Sequence, residues 1–438
     1  LLAARCEEML RDHEASAQSL ETACRLDPGN ADAAALRARL SERSNDLETA
    51  RRWADRALQA DPTHPLARLV DAKIVLRSGA AAVARDRLEK LTADKEPMAR
   101  LTPAMRAAVY HELGNTLDRL DEYGPAWDAY THSTRHRLQD PSWSRIDARE
   151  AFGRIRDSRQ LIREGFLETC PRPAGAASPR VVFLVGLPRS GTTLTERLLS
   201  EAGDLRPTDE RTPLAPLLSE IRRGTGTYAD ALRTLSDADC RLMRARYFEE
   251  AGSILGGLGE RETVLDKLPL NLIDLPLIAR VFGDAPVLMC LRDPLDACLS
   301  NAQQHMAPNA SMKALATIET GARFAAELLE LWCDARETLR MPWMESRYEE
   351  LITDATARVR SLLSHCGVEP RASGTGASTP QPERASGTPS YEAVSGPINN
   401  RAVGRWQRYG PHIDPVVRTA AESTLRPLRE RLGYGDRG

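Results

Sequence analysis

One stretch restricts the fold of this chain more than any other: Val181 to Ser200, VVFLVGLPRSGTTLTERLLS. Its first five residues, Val181, Val182, Phe183, Leu184 and Val185, are apolar and mostly β-branched or aromatic, and read as a strand covered on both faces. The chain then turns through Gly186-Leu187-Pro188-Arg189-Ser190-Gly191. From Thr192 a helical pattern sets Leu194, Leu198 and Leu199 on one side. A strand, a glycine-bounded loop and a helix N-terminus aim backbone N–H groups and the positive end of a helix dipole at one point. Such a loop cradles a phosphate; the plainer alternative is a tight βα turn that binds nothing.

The residues of the loop narrow the kind of phosphate. A loop of the form GxxxxGK[ST] uses its lysine to answer the β- and γ-phosphates of a triphosphate. Gly186 and Gly191 keep that spacing, but Thr192 stands where the lysine should be, and positive charge comes from Arg189 inside the loop. This argues against an ordinary ATPase, GTPase or kinase and for a ligand with a different 5′-anion.

Length and composition exclude several classes. A chain of 438 residues is long enough for about two to three domains, each with its own core. With a net charge of -2 there is no bulk electrostatic case for nucleic acid or an anionic membrane. No apolar run approaches the ~18 residues that span a bilayer, and no signal peptide opens the chain, so a cytoplasmic protein is expected. The first residues are Leu-Leu rather than Met, inside a helical pattern, so the natural start is expected to lie upstream. The eight cysteines are scattered without a CxxC pair, and Cys290, Cys298 and Cys366 sit in apolar surroundings. They read as small core residues in a reducing compartment, not as a disulfide framework or a zinc site. Of the eight histidines, His305, His365 and His412 fall in the second half, none at a ligand spacing, and no metal is assigned.

Residues 1–137 are helical in pattern and repeat. Leu26-Asp27-Pro28 recurs as Ala60-Asp61-Pro62, the prolines 34 residues apart, and each proline ends a helix before the next unit begins. Ala23 and Ala57 precede them at the position where helices must approach closely. A third unit around Gly79, Ala84 and Leu88 is weaker, whereas the fourth places Tyr110, Leu113, Gly114, Leu117, Tyr123, Ala126 and Tyr130 on helix-pair positions. The segment resembles tetratricopeptide repeats, which implies an α-helical superhelix whose concave face takes a peptide or protein partner. Bracing of the next domain, or formation of a homodimer, are the alternatives. Residues 138–178 read as connecting helices and a Pro/Ala/Gly linker, CPRPAGAASP, ahead of a second domain at 179–438. Within it, strands and helices alternate, as in an α/β fold with a parallel sheet. Thr263-Val264-Leu265 and Val287 to Leu291 are further strands, and Asp274 with Pro276 starts a helix that stops at Gly283. Residues 371–390, rich in Ser, Gly, Thr and Pro, read as a mobile loop.

A second constellation follows the strand Val287 to Leu291: Arg292-Asp293-Pro294-Leu295-Asp296-Ala297-Cys298-Leu299-Ser300. The arginine lies at the carboxyl end of a parallel strand, where ligands sit in open α/β sheets, and Ser300 is about two helical turns on. An arginine fork with a hydroxyl suits a second phosphate.

A PRSGTT loop after one strand and RDPxDxxLS after a later one resemble the sulfotransferases that use 3′-phosphoadenosine 5′-phosphosulfate. The pattern is most similar to tyrosylprotein sulfotransferases and to bacterial proteins that join such a domain to tetratricopeptide repeats. The resemblance covers Arg180 to about Val417. It implies a P-loop-like domain of the sulfotransferase fold, the phosphosulfate donor as co-substrate and 3′-phosphoadenosine 5′-phosphate as product. It further implies that Arg189, Ser190, Gly191, Thr192 and Thr193 hold the 5′-phosphosulfate and that Arg292 and Ser300 hold the 3′-phosphate. Glu210 stands 22 residues after Pro188, where that family places its catalytic glutamate. A base is needed because a hydroxyl attacks sulfur best as its proton leaves; the bland reading of Glu210 is a solvated carboxylate, with Asp209 as its rival. Lys267, one of only five lysines, ends a strand amid apolar residues. In the family it meets the bridging oxygen and, with Arg189, neutralises charge as the S–O bond breaks. Tyr348 resembles the tyrosine beside the adenine, and Ser390 opens a segment that resembles the closing C-terminal stretch. Gly396 departs from the basic residue those enzymes carry before Pro397-Ile398-Asn399, with Arg401 or Arg405 as replacements.

These residues together predict in-line sulfuryl transfer to a hydroxyl acceptor, a peptide tyrosine or a small molecule. The rivals are a repeat-protein adaptor with a non-catalytic nucleotide domain, and a P-loop kinase or NTPase.

Overall fold

A computed structural model describes residue 3 and residues 12–170, 180–224, 226–371 and 398–435. Ser390, Gly396 and the segment 372–390 lie outside the described residues. The chain divides into two compact units, one of Leu1–Arg145 with Arg408–Ile413, the other of Ile146–Gln407 with Asp414–Gly438.

The first unit is helical: α1 (His13–Leu26), α2 (Ala31–Arg43), α3 (Leu47–Ala60), α4 (Pro65–Arg77), α5 (Ala81–Ala93), α6 (Pro103–Arg119) and α7 (Tyr123–Gln139), with single turns at Lys95–Ala99 and Pro141–Ser144. Short polar side chains start these helices by accepting a backbone N–H. Asn30 takes that of Ala33, Asp46 that of Thr49, and the His64 ring that of Ala67. The 34-residue spacing appears as a repeated helix end. Asp27 and Asp61 both leave the helix in an extended conformation, and their N–H groups close on the carbonyls of Ala23 and Ala57. The core between helices is built on alanine (Ala33, Ala34, Ala38, Ala50, Ala54, Ala57, Ala67), which lets backbones approach. Gly114 of α6 faces the Tyr130 ring so closely that a Cβ would lie 2.7 Å from it. Arg408–Ile413 belong to this unit. Tyr409 is buried there, its hydroxyl donating to Asp118 and its ring packed edge-on to that of Tyr123 with the ring centres 5.1 Å apart.

The second unit is an α/β layer structure. Its strands are β1 (Arg180–Gly186), β2 (Arg206–Pro207), β3 (Thr263–Lys267), β4 (Val287–Leu291) and β5 (Trp343–Arg347), all parallel in the order β2-β3-β1-β4-β5. The strands β1, β3 and β4 are buried almost along their whole length, which is why they read as unbroken apolar runs. Before β1 comes α8 (Arg149–Arg163); after it follow α9 (Thr192–Ala202), α10 (Asp237–Leu255), α11 (Pro294–Gln303), α12 (Ile318–Thr338), α13 (Ala355–His365) and α14 (Pro415–Arg431). One face of β1, β3 and β4 packs on α9 and α13 through Val182, Leu184, Leu199, Leu265, Leu288 and Leu362. The helix expected from Asp274 begins as a 3₁₀ turn over Pro269–Asp274 and becomes α-helical at Leu275–Val281. Because β3 lies on one side of β1 and β4 on the other, the chain reverses its direction of winding at β1. The crevice at the carboxyl ends of these strands is the place where open α/β sheets bind ligands.

Candidate active site

Three loops meet at that crevice. The first joins β1 to α9. Gly186 has a φ of 157°, and a Cβ there would lie 2.6 Å from the carbonyl oxygen of Cys290. Gly191 caps α9 in the left-handed region at φ 94°, offering no side-chain cap to the helix; a Cβ on it would lie 2.6 Å from the Tyr348 ring. Arg189, between them, is itself left-handed at φ 71°, so the loop curls around its own backbone N–H groups. The start of α9 is thus left for a ligand's oxygens. Thr192 and Thr193 are buried at this helix start, and the buried Ser190 hydroxyl has no hydrogen-bond partner among the described residues. A buried hydroxyl of that kind calls for an outside partner.

The second loop follows β4. Arg292 is buried, donates from Nη1 to the Arg189 carbonyl at 3.1 Å and from Nη2 to the Ala402 carbonyl, and lies 5.3 Å from the centre of the Tyr348 ring. Its Nε is buried without a partner among the described residues. Ser300, two turns along α11, accepts from Arg189 Nε at 3.1 Å. Desolvation, reinforced by the Arg292 and Arg405 cations, pushes the Arg189 guanidinium down to about 10. Arg292 is held below its ordinary value chiefly by burial, although Asp296 opposes this. Positive charge is concentrated here, with Asp296 Oδ2 3.9 Å from Arg292 Nη2 as the carboxylate beside it. Tyr348 packs between Gly191 and Arg292, and burial raises its phenol above the ordinary value.

The third side lies at the end of β3. The Lys267 side chain is fully buried (0% exposed) and its Nζ donates to Glu210 Oε1 at 2.7 Å. A second carboxylate, Glu196 Oε2 on α9, stands 3.3 Å from the same nitrogen. The backbone N–H of Lys267 meets Thr208 Oγ1 at 3.3 Å, which ties β3 to the turn that carries Glu210. Asp209 and Glu210 both adopt positive φ, at 52° and 61°. Asp209 turns instead to Arg211, 3.7 Å away. Of the two neighbours, Glu210 accepts from Lys267 Nζ.

The structure brings Arg189, Ser190, Gly191, Thr192, Thr193, Arg292, Ser300 and Tyr348 to one end of the sheet and sets Lys267 with Glu210 beside them. Sequence reasoning passed over Glu196, Asp296 and Asn301. Asp296 accepts the backbone N–H groups of Gly404 and Trp406, each at 2.7 Å, and so fixes the segment whose Ala402 carbonyl holds Arg292. Asn301 donates from Nδ2 to the Pro188 carbonyl at 2.8 Å and pins the first loop to α11. Arg405, which the sequence offered beside Arg401 as a replacement for a missing basic residue, bonds Gln303 at 2.9 Å and is the one whose charge reaches Arg189. Among the described residues no cluster of His, Cys, Asp or Glu suits a metal ion, and no helix is long and apolar enough to cross a membrane.

Residues 179–372 match the profile of a family described as the sulfotransferase family. That segment contains both phosphate-type loops, Glu210, Lys267 and Tyr348. Among curated proteins, the chain is 24% identical over 334 residues to an uncharacterized protein of Aquifex aeolicus, covering 72% of this chain and 42% of that one. It is 27% identical over 218 residues to the nodulation protein NoeE of Sinorhizobium fredii, covering 44% and 51%. The chain thus spans about half of these relatives' length, or less. Among solved structures it is similar to the sulfotransferase domain of the Synechococcus olefin synthase (14% identity, TM-score 0.36, 58% of this chain and 98% of that one). A sulfotransferase domain of the curacin biosynthetic pathway gives 14% identity and a TM-score of 0.37, covering 59% and 99%.

Proposed function

We propose that this protein transfers a sulfuryl group from 3′-phosphoadenosine 5′-phosphosulfate to a hydroxyl acceptor. The observation that carries the reading is the joining of two anion sites, around Ser190–Thr193 and around Arg292, to a buried lysine–glutamate pair at the carboxyl ends of one parallel sheet. The residues fit such a donor: the partnerless Ser190 hydroxyl and Arg292 Nε are buried hydrogen-bonding groups waiting for acceptors, and the crowded guanidiniums call for anions. Thr192 in the place of a P-loop lysine supports this reading over a kinase or NTPase.

When bound, the donor supplies a sulfuryl group whose S–O bond to the 5′-phosphate breaks while a new S–O bond forms to the acceptor oxygen. Arg189, Ser190, Thr192 and Thr193 hold the 5′ end with the N–H groups of the α9 start. Arg292 and Ser300 select the 3′-phosphate, Arg405 adds positive charge, and Tyr348 covers the base. Glu210 takes the proton of the acceptor hydroxyl, so the nucleophile gains charge as the bond forms. The Lys267 ammonium offsets the negative charge that gathers on the departing phosphate oxygen. The 34-residue helical period of the first unit supports a tetratricopeptide superhelix, and with it a peptide acceptor such as a tyrosine.

The test is transfer of labelled sulfuryl groups from the donor to a panel of tyrosine peptides, glycans and small phenols. We expect transfer to at least one class, abolished in Lys267→Ala and in Glu210→Ala. Full activity in both variants would overturn the assignment of roles.

A further inference from the structure

The buried carboxylate of Glu196 has no task in the reaction proposed for this site. Glu196 sits in the middle of α9 with 2% of its surface exposed, and its Oε2 is 3.3 Å from Lys267 Nζ. Lys267 already has Glu210 at 2.7 Å. A lone buried ammonium needs one counter-charge, and a second carboxylate in the same pocket adds desolvation cost and like-charge repulsion. Its presence is explained if the first carboxylate does not stay charged.

We propose that Glu196 is a positioning residue, the standing counter-ion that keeps the Lys267 ammonium charged and in place while Glu210 is engaged with the acceptor's proton. This rests on the roles given above to Glu210 and Lys267. The charge count supports it. With both carboxylates ionised the group carries one net negative charge, and after Glu210 takes a proton it is neutral. Without Glu196 the same step would leave the buried Lys267 ammonium without the charge of either carboxylate that bonds it. The backbone divides the two roles in the same way. Glu196 is fixed on a regular helix, whereas Glu210 stands in a turn at positive φ with a quarter of its side chain exposed (25%). One carboxylate is anchored and the other can exchange partners.

The experiment compares Glu196→Gln and Glu196→Asp with the unaltered full chain. In Glu196→Gln we expect kcat to fall on the order of 10- to 100-fold, less than the roughly 10²–10³-fold cost of losing a direct transition-state donor. The acceptor KM and the calorimetric Kd for 3′-phosphoadenosine 5′-phosphate should change less than about threefold, and Glu196→Asp should recover most of the loss. Retention of kcat within twofold in Glu196→Gln would overturn the proposal, as would equal losses in both variants with donor-product binding weakened in step. A second measurement is independent of activity: urea unfolding of Glu196→Gln alone and in a Lys267→Met background. The substitution should lower the midpoint when Lys267 is present and leave it unchanged or raised when Lys267 is gone. An equal shift in both backgrounds contradicts the ion pair whatever the reaction is. If the unaltered protein transfers no sulfuryl group to any acceptor, the proposed function fails, and the unfolding cycle still decides the role of Glu196.

Discussion

The two sides of the β1 loop solve opposite electrostatic problems. Toward β4, Arg189, Arg292 and Arg405 crowd one another, and the Arg189 guanidinium is pushed down to about 10 by desolvation and by its cationic neighbours. Toward β3, the single cation Lys267 is enclosed by Glu196 and Glu210, so negative charge is in excess. The first side concentrates positive charge, which suits the anion site proposed there. The second holds one more carboxylate than ammonium, which suits the proton transfer proposed for Glu210. A parallel sheet that changes winding direction at β1 allows both to share one loop.

Perturbing each side separately sharpens the contrast. The largest effect is expected on the β3 side. Lys267→Ala leaves Glu196 and Glu210 facing each other without a cation, and should cost about 3–5 kcal/mol of stability in chemical unfolding. In steady-state assays it should also lower kcat by at least about 10²–10³-fold. On the β4 side, Arg292→Ala takes the donor from the Arg189 and Ala402 carbonyls and should cost about 1–3 kcal/mol in unfolding, while adenosine 5′-monophosphate binding changes less than that of the bisphosphate. It should weaken 3′-phosphoadenosine 5′-phosphate by about 10- to 100-fold in calorimetry, the weight of a charge-assisted bidentate contact. Equal loss of both nucleotides would place Arg292 at the 5′ end instead.

The loop between the sides comes next. Gly191→Ala forces a side chain onto a backbone at φ 94° and toward the Tyr348 ring at 2.6 Å. It should cost about 1–3 kcal/mol in thermal unfolding and weaken nucleotide binding through Tyr348. A pH effect concerns Asp266, the neighbour of Lys267 in β3. Burial raises its carboxyl to about 7, although Tyr247 and Asn271 bond it at 2.8 and 3.1 Å. The folded protein therefore holds a proton that the unfolded chain releases near 3.8. This contribution to stability is full below about pH 4 and is lost as pH rises through 7. Unfolding midpoints measured across that range should show the decline, and Asp266→Asn should flatten it.

How far the site was legible depended on whether its signals lay within one segment. The loop from Gly186 to Thr193 is contiguous, and its glycines, arginine and threonines declare the fold and the anion together. Lys267 stood out because a lysine ending an apolar strand is costly unless it is used. Glu196 did not stand out: on α9 it reads as one polar position of an amphipathic helix. Its place one turn beyond Thr192 and Thr193 on the same face was the available signal. Asp296 and Asn301 became visible only once α11 was laid beside the β1 loop and the segment at Gly404–Trp406. The strands β2 and β5 escaped notice for a related reason, being a two-residue edge and a polar edge, WMESR, without the apolar run of β1 or β4. The inclusion of Arg408–Ile413 in the helical unit had no local signal, since Tyr409 meets Asp118 across a separation of 291 residues.

The central claim is that the crowded guanidiniums beside the β1 loop form a site for a nucleotide carrying both a 5′- and a 3′-phosphate. Calorimetric titration of the full chain with 3′-phosphoadenosine 5′-phosphate, against ATP with magnesium, tests it directly. The account predicts saturable binding of the former without added metal, and binding of the latter weaker by an order of magnitude or more. Preference for ATP with magnesium, or no binding of the bisphosphate at all, would contradict it.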